Sequence, residues 1–154
     1  MKTRTVLVAV LALLVCVTMS FAQSPQMGTW KLNEAKSKIS AGYPKNMTVV
    51  CEAAGDDVKV TVDGVGTDGK PSHNEWTGKF DGKDYPLTGD PTADSRSYKK
   101  IDARTMELTN KKDGKTVVMG KITVSADGKS RTVTTSNTDA SGKKVSATAV
   151  YDKQ

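Results

Sequence analysis

Met106-Glu107-Leu108-Thr109 and Val118-Met119-Gly120-Lys121-Ile122-Thr123-Val124 lie on either side of the turn signal Asp113-Gly114-Lys115. On both sides apolar residues alternate with polar ones, the period of a strand with one dry face. Asp-Gly suits a tight hairpin, because Gly takes positive φ without a Cβ clash and Asp tolerates it. The signal recurs at Asp68-Gly69-Lys70, Asp81-Gly82-Lys83 and Asp127-Gly128-Lys129, and as Ser141-Gly142-Lys143 near the end. Punctuation this regular predicts an all-β, antiparallel, up-and-down fold.

Strands are expected at Gly28-Thr29-Trp30-Lys31-Leu32 and near 46–54, 57–63, 72–80, 83–88, 95–101, 104–111, 115–125, 130–138 and 143–152. Between the first two, Asn33 to Lys38 suits one short helix, with Asn33 as its N-cap and Gly42 and Pro44 ending it. Val58, Val60 and Val62 share one face; so do Trp76, Gly78 and Phe80, and so do Val145, Ala147, Ala149 and Tyr151. Such strands need a common interior. A barrel of eight to ten strands supplies it, closed by pairing the first strand with the last. Small inward side chains in a barrel of that size leave space in the middle. A flattened, fully packed sandwich is the other way to accommodate them.

Residues 1–22 have the pattern of a cleaved signal peptide: Lys2 and Arg4, an apolar run from Val6 to Val17, then Ser20-Phe21-Ala22. The apolar run is short for a bilayer span. Residues 23–154 then form one domain, expected to be a secreted or periplasmic monomer that does not span the membrane. Removing the leader takes away Cys16, so Cys51 has no internal disulfide partner. The formal charge of +6 falls to +4 without Lys2 and Arg4, and the cations are scattered, with no basic stripe for nucleic acid.

Chemistry is sparse. His73, the one histidine, shares an outward face with Glu75, where water keeps an acid–base pair ordinary. One His and one retained Cys lack zinc spacing, and Asp63-Gly64 to Asp68-Gly69 lacks the ligand pattern of a calcium loop. Neither metal nor cofactor is expected, and the chain does not read as an enzyme. Cys51 is expected to point inward as a small hydrophobe, with no basic neighbour on its face.

The two ends of residues 23–154 carry a resemblance. Gly28-Thr29-Trp30 resembles the Gly-x-Trp opening of the calycins, the lipocalins and fatty-acid-binding proteins, and Ala149-Val150-Tyr151-Asp152-Lys153 is similar to the latter's final strand. The chain also resembles small exported bacterial proteins with lipocalin-like barrels. The resemblance implies a barrel that holds an amphiphile, with Gly28 and Trp30 structural and Trp30 plugging one end. The family's carboxylate-binding Arg falls at Ala149, so of that clamp only Tyr151 carries over. That change implies a neutral or differently anchored ligand, since an unpartnered buried anion is costly. Residues 33–45 have room for one short helix in place of the family's helical lid.

The expectation is a small apolar or amphiphilic molecule bound among Val60, Trp76, Phe80, Met106, Leu108, Val118, Ile122, Ala149 and Tyr151. The competing expectation is a packed domain without ligand, acting through its surface in the cell envelope.

Overall fold

The computed structural model describes residues 24–138 and 141–154, and the predicted leader lies outside them. Ten strands run β1 (Gly28–Leu32), β2 (Lys45–Ala54), β3 (Asp57–Val65), β4 (Pro71–Gly78), β5 (Tyr85–Thr88), β6 (Ser95–Lys100), β7 (Thr105–Lys112), β8 (Lys115–Val124), β9 (Ser130–Thr138) and β10 (Lys144–Lys153). Each pairs with its neighbour in sequence, and β10 returns to β1, closing an antiparallel barrel. The closing register sets Trp30 opposite Lys153 and Leu32 opposite Tyr151. A 3-10 turn, Glu34–Lys36, follows β1; the Asn33 side chain accepts from the Lys36 N–H at 3.2 Å. No helix among the described residues is long and apolar enough to cross a membrane.

The Asp-Gly-Lys signals turn the chain by two routes. Asp68, Asp81 and Asp127 each accept from the backbone N–H of the Lys two residues on, at 3.1, 3.0 and 3.0 Å. At β7–β8, Asp113 and Gly114 both take positive φ, 49° and 75°, as a two-residue primed turn requires. The same hairpin holds a bulge beside Asn110, which brings both Val117 and Val118 toward the interior.

Up-and-down order gathers the β2–β3, β4–β5, β6–β7 and β8–β9 hairpins at one end of the barrel, and the other connections at the opposite end. Rings fill the first end. Trp76, 1% exposed, meets Tyr98 edge-on at 4.8 Å and Tyr85 edge-on at 5.7 Å, and stacks on Phe80 at 6.3 Å. Such pairs contribute about 0.5–1.5 kcal/mol each beyond the area they bury. The Trp76 indole N–H donates to the Arg96 carbonyl at 2.8 Å, so its one polar atom is satisfied.

Gly78 makes this packing possible: a Cβ there would lie 2.4 Å from Cγ of the Tyr85 ring. Gly78→Ala is therefore expected to cost about 1–3 kcal/mol in urea unfolding, from forced ring displacement. The cost should shrink in a Tyr85→Ala background; an undiminished cost there would assign it to the backbone and not to the ring.

Candidate functional site

The opposite end of the barrel is hollow. A cavity of about 590 Å³ lies inside it, within the usual range for small-molecule sites. Its apolar wall is Leu108, Val117, Val118, Val133, Ala147 and Ala149, contributed by β7 to β10. Its polar lining is Asn74 of β4, Arg96 of β6 and Asn110 of β7 on one side and Thr135 and Asn137 of β9 on the other, where the buried Asn137 Oδ1 meets no donor among the described residues. Strand parity explains the first three: Asn74 is one inward step from Trp76, Arg96 one from Tyr98, and Asn110 one from Leu108.

Arg96 is 6% exposed. Its Nε donates to Asn110 Oδ1 at 2.8 Å, and one terminal nitrogen, Nη1, lies 3.4 Å from Asn74 Oδ1 and 3.5 Å from the Tyr98 hydroxyl. No carboxylate among the described residues forms an ion pair with it. The acids nearest the cavity are occupied at its rim: Asp90 accepts from the Thr92 N–H and hydroxyl, and Asp68 from the Lys70 N–H. Because both carboxamide oxygens face the guanidinium, the amide nitrogens of Asn74 and Asn110 point elsewhere. Neither they nor the Arg96 Nη2 meet an acceptor among the described residues. Around Arg96 the wall is thus positive and rich in donors, whereas on β9 the Asn137 Oδ1 presents an acceptor.

A second inward cation closes the filled end. The Arg131 guanidinium lies 4.8 Å from the Trp30 ring centre and 5.2 Å from that of Tyr151, and aromatic faces attract it. Trp30 is fully buried, and its N–H donates to the Gln26 carbonyl at 2.9 Å. Gly28 leads into it at φ 108°, and a Cβ there would press on Lys153. Burial pushes the Tyr151 phenol up to about 12, so it stays a donor, and it reaches the Asn46 carbonyl at 3.0 Å.

The structure divides the residues that the sequence singled out. Leu108, Val118, Ala149 and Tyr151 line the cavity. Val60, Trp76, Phe80, Met106 and Ile122 do not: they pack in the core around the rings of the filled end. Parity assigns a side chain to a face and leaves its height along the barrel undetermined, so the two groups looked alike. Cys51 is buried as expected, but the absence of a basic neighbour is corrected: Arg131 approaches across the interior, 3.9 Å from Sγ. Burial still dominates and pushes the thiol up. Asn74, Arg96 and Asn110 were missed; their signal was inward parity with Trp76, Tyr98 and Leu108.

His73 faces out, its Nδ1 2.6 Å from Asp63, with Glu75 beyond it bridged to Lys59. The hydrogen bond to Asp63 holds the imidazolium above its ordinary range. A raised pKa means that the pair stabilises fully below the unfolded value, about 6.5, and that this contribution is lost as pH rises through the folded value. His73→Gln is expected to lower the melting temperature slightly at about pH 5.5 and not at about pH 9. An equal effect at both would contradict the ion pair.

No protein-family model matches the chain, and no curated protein matches it. Among solved structures it is similar to one described as EF1p2_mFAP2b bound to DFHBI, at a TM-score of 0.47 and 12% identity, over 84% of this chain and 94% of that one.

A buried charge with no carboxylate partner among the described residues sets the energetics of the site. Replacing buried charges by apolar side chains of similar volume is often neutral or stabilising. Arg96→Met is therefore expected to leave thermal stability unchanged or to raise it by about 1 kcal/mol or more. A loss of several kcal/mol would show that the guanidinium holds the fold together.

Proposed function

We propose that this barrel binds one small amphiphile, with an anionic group against Arg96 and an apolar body along Leu108, Val118, Val133 and Ala149. One observation carries the reading: a buried guanidinium with no carboxylate partner among the described residues faces a cavity that also has an apolar surface, from Leu108 to Ala149. Arg96 and the amide nitrogens of Asn74 and Asn110 suit an oxyanion, and the apolar wall contributes about 25 cal/mol for each Å² that a ligand covers.

Ten-strand closure and the Gly28-Thr29-Trp30 opening support placing the chain among calycin-like barrels. It acts as a binding protein and not as an enzyme. The leader pattern of residues 1–22 supports a secreted or periplasmic location. The sequence implied a neutral or differently anchored ligand; Arg96 offers the different anchor, on β6 and not on the last strand.

Calorimetric titration with decanoate, decanol and decylammonium tests the reading. Decanoate is expected to bind once per barrel and at least about tenfold more tightly than decanol, a difference of about 1.4 kcal/mol, with decylammonium weakest. Arg96→Met should bring decanoate down to decanol. Equal affinities in the unaltered protein would remove the anion anchor and leave the cavity as an apolar site, whereas no heat from any of the three would overturn the function.

A further inference from the structure

β1 is too short for the wall that it closes. It has five residues where β2 and β10 have ten each. It pairs with β10 from Trp30 to Leu32 and with β2 from Gly28 to Lys31. Toward the hollow end, residues 45–47 of β2 and 144–149 of β10 have no β1 strand between them. The strand ladder is thus interrupted between β2 and β10, and there the Tyr151 hydroxyl reaches across to the Asn46 carbonyl.

The chain returns over this interruption after the 3-10 turn. Lys38 exchanges both backbone hydrogen bonds with Thr148, at 2.7 and 2.8 Å. Residues 39–44 then cross to β2, turning at Gly42, φ 78°, where the Tyr43 N–H bonds the Ser40 carbonyl. Ile39, Tyr43 and Pro44 line the cavity from this strap, while an open surface groove borders Ile39 and Ser40 together with Ser146 and Thr148 on the outside. The strap therefore has space beside it in two places. Its side-chain hydrogen bonds are few, the Tyr43 hydroxyl to Thr135 Oγ1 at 3.0 Å and the Ser40 hydroxyl to the Ser146 carbonyl at 3.4 Å, and Ile39 packs against the core at its start.

The rim hairpins are better held. Gly66 and Lys70 share a backbone bond of 2.8 Å, Asp68 and Asp90 bond backbone N–H groups in their own turns, and a Cβ on Gly89 would lie 2.2 Å from the His73 carbonyl. Compared with the β3–β4 and β5–β6 turns, the strap is the more lightly tied.

We propose that residues 39–44 are a gate over a slot between β2 and β10, released when the Tyr43–Thr135 bond breaks, so that the cavity fills from the side and not past the hairpin tips. The gate concerns access alone and holds whatever the cavity takes up.

Its test needs no ligand. In a Cys51→Ala background, Ala149→Cys puts a thiol on the cavity wall, and a methanethiosulfonate reagent reports access to it. Tyr43→Phe keeps the ring and removes one hydrogen bond, so the labelling rate is expected to rise roughly threefold to tenfold. Asp90→Ala, which loosens the β5–β6 rim turn, should leave the rate unchanged. Val118→Cys, on another strand of the same wall, repeats the measurement should Ala149→Cys fail to fold. A rate indifferent to Tyr43→Phe, or raised as much by Asp90→Ala, would overturn the gate.

Discussion

A guanidinium shut inside a barrel must be answered by acceptors, and Arg96 is answered by two carboxamides and a phenol. This arrangement orders the site around it. Neutral acceptors leave the positive charge uncancelled, and they turn the Asn74 and Asn110 amide nitrogens away from the guanidinium. Removing a charge from bulk water costs several kcal/mol unless it is partnered, so an unpaired cation beside a cavity is a site that gains from taking up an anion. Arg131 shows the other solution in the same interior: it is stacked against Trp30 and Tyr151, does not line the cavity, and closes the end where the chain enters the barrel.

The two cations mark a division of the interior. Around Trp30 and Trp76 the barrel is filled by rings and by Val60, Met106 and Ile122. Beyond Leu108 the inward residues become small or polar, and the space opens. A solid interior, which a purely surface-acting domain would have, is not what this chain builds. Among the described residues the large exposed apolar side chains, Ile101 and Met119, lie apart, one in the β6–β7 turn and the other opposite Thr109. Neither extends into a patch of the kind that marks a docking face.

Much of the architecture was legible because it depends on local rules. Asp-Gly turns and two-residue alternation are read a few positions at a time, and they gave ten strands with ends within a few residues of those observed. Asn33 as a cap was legible for the same reason, whereas the role of Trp30 as an end plug was implied by the resemblance of the Gly28-Thr29-Trp30 opening. The site was less so, because it depends on stagger. Asn74 and Trp76 share a face, yet two residues of rise, about 6–7 Å, put one in the cavity and the other in the ring cluster. The β7–β8 bulge turned Val117 inward against simple alternation. Arg96 and Arg131 followed parity faithfully. They were overlooked because Arg is rarely buried, so a cation on a strand is read as solvent-facing unless the fold says otherwise.

Native mass spectrometry of the protein isolated from its own host tests the central claim most directly, since it reads occupancy without choosing a probe. One small anionic amphiphile per chain is expected, lost from Arg96→Met purified in the same way. A bare chain, or an adduct that is neutral or cationic and persists in Arg96→Met, would contradict it.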